Sequence, residues 1–244
     1  MLAGGFEHVA RTHVGCRREL NEDAVLEFPS RGLWAIADGM GGHEAGDIAS
    51  GIVVEELSSC PAGSDDRATV DNALILLERA NLRLVDLARS KFKGRTIGST
   101  VVGLVLNDRR FTCFWAGDSR AYRVRGNAIE RLTKDHSMVQ DLVDAGMLGE
   151  AEAEAHPQVN IITRAIGVSD ALDVEVVSGD VRPGDVFLLA SDGLTRLVGD
   201  DELRDELRND DLEESASRLL QMALDRQAPD NVSLALIRRR PPKP

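Results

Sequence analysis

Acids stand at turns in four places of this sequence: Asn21-Glu22-Asp23, Asp38-Gly39, Ser191-Asp192-Gly193 and Asp230-Asn231. Two of them share a pattern. Trp34-Ala35-Ile36-Ala37 runs into Asp38-Gly39, and Leu188-Leu189-Ala190-Ser191 runs into Asp192-Gly193. A single Asp-Gly is usually a plain turn. Two of them at the ends of apolar runs that read as buried strands point further. Strand ends collect on one edge of a sheet, where carboxylates can converge. Converging carboxylates raise one another's pKa, and a divalent cation removes the conflict. Oxygen-only ligands suit Mg2+ or Mn2+, and no Cys/His cluster competes for a softer metal. Two such ions sharing a carboxylate activate a water that attacks phosphorus esters. Arg is the best-shaped side chain for holding phosphate oxygens. Arg18 stands four residues before Glu22, although spacing alone favours a solvated surface role for it.

The elements that must position these residues follow from periodicity. Strands are expected over 6–14, 23–28, 33–38, 100–106, 111–116, 121–124, 172–177, 186–191 and 232–239. Helices are expected over 44–57, 70–91, 201–207 and 212–226, with Gly94 breaking the second. Residues 136–167 hold short polar helical pieces punctuated by Gly146, Gly149 and Pro157, and read as an inserted, more mobile subdomain. Residues 241–244 read as a frayed tail. Strands in two runs, each followed by helices, predict an α+β chain with sheets packed together and helices outside. Its 244 residues, with no internal repeat or long linker, read as a single domain over 1–244.

Composition excludes several classes. Apolar residues make up 43% and charged residues 29%, an ordinary globular balance. No apolar run approaches the ~18 residues of a membrane span, and the first residues lack a basic-then-apolar signal. Cys16, Cys60 and Cys113 suit a reducing compartment, hence the cytoplasm, and suggest neither a disulfide frame nor a zinc site. Acids outnumber bases 41 to 29, for a net charge of −12, the reverse of a nucleic-acid binder. Most of these acids read as solvated surface. Gly39 to Gly42 is not a nucleotide loop, because no Lys-Ser/Thr follows it.

Arg18-x-x-Asn21-Glu22-Asp23, Asp38-Gly39-Met40-Gly41-Gly42, Gly117-Asp118-Ser119-Arg120, Ser191-Asp192-Gly193 and Asp230-Asn231 occur in the order seen in one family. Together they resemble the PP2C-type (PPM) metal-dependent protein serine/threonine phosphatases, bacterial branch, over residues 8–238. The resemblance implies a four-layer α-β-β-α sandwich, with two antiparallel sheets flanked by helix pairs. It implies two Mn2+ or Mg2+ ions bridged by Asp38. The Gly39 carbonyl and Glu22 would ligate one ion, and Asp192 and Asp230 the other. Asp23 would orient a metal-bound water, and Asp118 with Asp192 would bind a third, looser ion. Arg18 would grip the substrate phosphate, so the catalytic residues are Arg18 and Asp38. Residues 135–167 would form the family's flap beside the site. One departure stands out: Met40 occupies the position where many eukaryotic members carry a histidine, and His43 is read as starting a helix, so the general acid is left open. His136 and His156 in the flap read as structural or solvated.

The activity so implied is hydrolysis of phosphoserine and phosphothreonine on proteins, opposing a bacterial serine/threonine kinase. The chain is expected to be monomeric and to bind neither membrane nor nucleic acid. The wording of Arg31 to Ser50 resembles phosphatases paired with type VI secretion kinases. The rival readings are a phosphatase dedicated to one regulatory partner, a phosphoprotein-binding module without turnover, and a structural cation-binding domain.

Overall fold

The computed structural model describes residues 5–41, 45–63, 65–92, 96–153 and 156–240. Gly42, His43, Gly94 and the 241–244 tail therefore lie outside the described residues. In chain order the elements are β1 (Phe6–His13), β2 (Asp23–Phe28), β3 (Leu33–Met40), α1 (Gly46–Ser58), α2 (Asp66–Ser90), β4 (Gly98–Ser99), β5 (Val101–Leu106), β6 (Arg110–Ala116), β7 (Arg120–Arg125) and β8 (Ala128–Arg131). They continue with α3 (Met138–Asp144), α4 (Glu150–Ala153), β9 (Glu175–Asp180), β10 (Val186–Ala190), α5 (Asp192–Thr195), α6 (Asp200–Leu207), α7 (Leu212–Asp225) and β11 (Val232–Arg239).

The strands form two antiparallel sheets. One is ordered β1-β11-β10-β7-β8, and the other β2-β3-β5-β6-β9, with β4 paired to β3. Period-two alternation along the strands divides their side chains among three cores. On β3, Leu33, Ala35 and Ala37 pack towards α1 and α2. Trp34 and Ile36 point the other way and meet Phe187, Leu189, Ala235 and Ile237 of the facing sheet. Val186, Leu188, Leu234 and Leu236 turn outwards to Leu212, Ala216 and Leu219 of α7. Helix, sheet, sheet and helix follow in that order, giving the four-layer α+β sandwich.

Three boundaries differ from the periodicity reading. The strand expected to stop at Asp38 continues to Met40, because Gly39 and Met40 pair with Ser99 and Gly98 of β4. The strand expected over 172–177 forms instead at Glu175–Asp180, in register with β6. Helix α2 begins at Asp66 because the Asp65 carboxylate accepts the Ala68 N–H at 2.9 Å, capping the first turn. The short strand β8 was not anticipated; it follows a tight turn at Gly126, whose φ is +59°.

Candidate active site and metal centre

The two Asp-Gly dipeptides have different geometries. Asp38 lies inside β3, two residues beyond Ile36 on the face turned to the other sheet. Asp192 follows the end of β10 and opens the short helix α5. They still meet: the Asp192 carboxyl lies near enough to Asp38 across the sheet gap to repel it. Asp23 is the register partner of Asp38 on β2, so both side chains leave the sheet on the same side. The Ser191 hydroxyl donates to Asp23 Oδ2 at 3.0 Å and accepts the Ser233 N–H at 3.0 Å, so it ties the edges of both sheets together.

Asn231 brings the remaining acids in. Its Oδ1 accepts the Glu22 N–H at 2.8 Å, and its Nδ2 donates to the Val14 and Leu20 carbonyls, each at 2.9 Å. This clamp holds the 14–22 loop, and with it Arg18 and Glu22, against the start of β11. Arg18 donates to Asp230 Oδ2 at 2.8 Å and lies 3.7 Å from Glu22, with nearly half its side chain exposed. Asp118 reaches the same group through Arg196, whose Nη2 lies 2.9 Å from Asp118 Oδ2 and 3.0 Å from Asp192 Oδ2. Every residue expected at the site thus gathers at one end of the sheet pair. The roles of Asn231 and Arg196 were not foreseen.

The group is electrostatically strained. Burial, followed by repulsion from Asp23, Asp192, Asp118 and Asp230, holds the Asp38 carboxyl well above the usual carboxylate range. Burial pushes Asp23 up to about 7 against opposing hydrogen bonds from Ser233 and Ser191. It pushes Asp118 up to about 7 as well, with Asp192 adding to the shift and Arg196 opposing it. Asp192 is also raised by burial, again opposed by Arg196. Asp38 and the Asp192 side chain are nevertheless not wholly closed off from solvent.

Two observations test whether the donors fit divalent cations. Buried oxygens of Asp23, Asp118 and Asp192 (Oδ1 in each) have no hydrogen-bond partner, a costly arrangement unless a cation satisfies them. A cradle also opens at Gly46, where a Cβ would lie 2.3 Å from Glu22 Oε1 and 2.9 Å from the Gly39 carbonyl oxygen. Both oxygens expected to share one ion thus flank one small space, and only glycine keeps it clear. Hard oxygen donors with surplus negative charge fit Mn2+ or Mg2+. Among the described residues no three such side chains already form a finished ligand set, and the guanidiniums of Arg18 and Arg196 supply positive charge within the cluster.

His136 is a supporting residue. It is buried, stacks on Trp115 with ring centroids 6.0 Å apart, and accepts the Gly117 N–H at 3.2 Å, which fixes the backbone beside Asp118. His156 accepts the Gln158 N–H within its own turn.

Comparison with known proteins converges on one family. The protein phosphatase 2C profile matches residues 15–236. The chain is 36% identical over 235 residues to the protein phosphatase PhpP of Streptococcus pneumoniae, covering 93% of this chain and 94% of that one. It superposes with a TM-score of 0.89 and 40% identity on PppA, described as a key regulatory component of T6SS in Pseudomonas aeruginosa, over 96% of this chain and 98% of that one. The catalytic domain of the serine/threonine protein phosphatase PstP, solved in complex with two manganese ions, superposes at 0.85 with 32% identity, over 96% and 98% of the two chains.

Proposed function

Because this chain belongs to the protein phosphatase 2C family, and is a Mn2+- or Mg2+-dependent serine/threonine protein phosphatase of the bacterial type, we propose that its reaction centre is the acidic group at Asp38. In this reading Asp38 is shared between two ions. Glu22 and the Gly39 carbonyl complete one set, and Asp192 and Asp230 the other. The observation that carries it is the convergence of these donors with unpartnered buried oxygens and the glycine-kept cradle. When bound, the ions supply a water made nucleophilic at neutral pH and offset charge on the phosphoryl group.

The chain's own residues do the rest. Asp38 and Asp192, raised chiefly by burial, would release their protons as cations enter. Asp23, bonded to Ser191, is a fixed acceptor beside Asp38 that can orient a reacting water. Arg18 stands on the rim with exposed donors and meets the substrate phosphate, its planar fork suiting two phosphate oxygens. The free cysteines Cys16, Cys60 and Cys113 support a reducing, cytoplasmic setting. Among the described residues no helix is long and apolar enough to cross a membrane.

The chain acts on phosphorylated proteins. We assign it a cognate serine/threonine kinase as the enzyme it opposes, and the likeness to PppA supports a type VI secretion setting. The whole chain then works as one catalytic domain, as a monomer, with residues 135–167 as its flap. Turnover of an aryl phosphate and of a phosphothreonine peptide, with and without Mn2+, tests the core assignment. Manganese-dependent hydrolysis is expected, and its absence would leave the phosphoprotein-binding reading standing. Co-expression with candidate serine/threonine kinases from the same organism, followed by phosphosite mapping, tests the partner.

A further inference from the structure

The family resemblance puts a third, looser ion at Asp118 and Asp192. The residues around that point do not fit one. Arg196 lies between the two carboxylates, with Nη2 2.9 Å from Asp118 Oδ2 and 3.0 Å from Asp192 Oδ2. A divalent ion taking the same two oxygens would have to displace the guanidinium or sit beside it against like-charge repulsion. Arg196 does not stop there. Its Nη1 donates to the Asn160 side-chain carbonyl, and Nη2 reaches the Val159 carbonyl at 3.5 Å. Val159 and Asn160 belong to the flap. The flap closes on itself through Met138 N–H to the Ile161 carbonyl at 2.9 Å and Thr163 N–H to the His136 carbonyl at 2.8 Å, and its ends are held to the sheets by the exchange between Ser99 and Ile166 and by the Arg120–Asp135 and Arg164–Glu175 ion pairs. A cavity of about 440 Å3 separates the flap helix α3 from α5, lined by Val139, Gln140, Asp118, Thr195 and Arg196 among others. Arg196 thus spans from Asp118 and Asp192 to Asn160 within the flap.

We propose that Arg196 is a resident cation standing in the place of a third metal ion, and that it tethers the flap to the metal-holding edge through Asn160 and Val159. It is a positioning residue: it neutralises Asp118 and shares Asp192, and it fixes how closely the flap approaches the centre. This inference rests on Asp38 and Asp192 holding the core ions. It assigns Asp118 to Arg196 instead of to a metal.

Manganese stoichiometry and amide exchange of the flap test it together. Wild type should saturate at two Mn2+ per chain, and Asp118→Asn should leave that count unchanged. Arg196→Ala should gain a weaker third ion. In the metal-free state it should also exchange the Met138, Ile161 and Thr163 amides about tenfold faster or more, the scale of losing a charge-assisted hydrogen bond. Arg196→Lys keeps the charge but not the fork, so it should hold the count at two while still loosening the flap. The proposal is overturned if wild type binds three ions and Asp118→Asn loses one, or if flap exchange is unmoved in Arg196→Ala. A wild-type count below two sinks the core ligand assignment instead, and the metal-free exchange comparison still decides the role of Arg196.

Discussion

Asp38 has two duties that oppose each other. In the proposed role of bridging ligand it has to be ionised, yet in the metal-free protein burial, followed by repulsion from four other aspartates, holds its proton on. Asp38→Asn removes the charge and keeps the shape. It should therefore lower kcat by more than ~100-fold, beyond the usual cost of losing a residue that merely supports a metal ligand. It should also raise the metal-free melting temperature at neutral pH by a few degrees, since folding no longer has to protonate a residue that is ionised when unfolded, and each ~1 kcal/mol so spared is worth about 2–4 °C in a chain of this size. Steady-state kinetics and thermal melts of the stripped protein check both, and near-normal turnover would refute the bridging role. Arg18 differs, because it is exposed and touches the acids only at their rim. Arg18→Ala should raise KM about tenfold or more while kcat falls less, the signature of lost phosphate binding. An unchanged KM would remove Arg18 from the substrate site.

The site also depends on how elements meet, and here Asn231 is the sharpest case. Its amide serves three backbone groups of the 14–22 loop and is itself buried. Asn231→Ala leaves the Glu22 N–H and two carbonyls without partners, at ~1–3 kcal/mol each when buried. A loss of ~3 kcal/mol or more is expected in denaturant unfolding, with manganese affinity falling as Glu22 loses its anchor. Unaltered metal affinity in a folded variant would mean the loop is held by something else. Gly39 is tighter still: a Cβ there would lie 1.9 Å from the Gly46 carbonyl oxygen. Much of this arrangement was legible in the linear sequence. The apolar runs that end at Asp38 and Asp192 mark buried strand ends, and the ordered acidic motifs point to one sheet edge; the face Asp38 takes was not legible, because Leu33 to Ala37 is apolar throughout. Other features were not legible. Arg196 meets Asp118 and Asn160 across 78 and 36 residues of chain, and no periodicity encodes such a contact. The run of β3 past Asp38 depends on β4, a pairing of two residues too short to give a pattern.

At the scale of the whole molecule, the acidic edge makes stability depend on pH in an unusual direction. Asp23 and Asp118 are held near 7 in the fold but titrate near 3.8 when unfolded, and Asp38 and Asp192 are shifted the same way. Between these values the folded chain binds more protons than the unfolded one, so stability falls as pH rises. His136 works against this. Burial lowers its pKa, so the unfolded state takes up the extra proton below about 6.5 and stability there rises with pH. One histidine is outweighed by the raised acids, and the exposed carboxylates with lowered pKa, such as Glu202 at about 2, act only at more acidic pH. The stripped protein should therefore lose several kcal/mol, on the order of 10 °C in melting temperature, between about pH 5 and about pH 8. Saturating Mn2+ should abolish that decline, because a cation favours the ionised carboxylates that the empty edge resists, and its apparent affinity should climb over the same interval. Melting curves across pH, with chelator and with manganese, decide the matter. Parallel curves in the two conditions would mean that the raised acids and the metal centre are not the same groups.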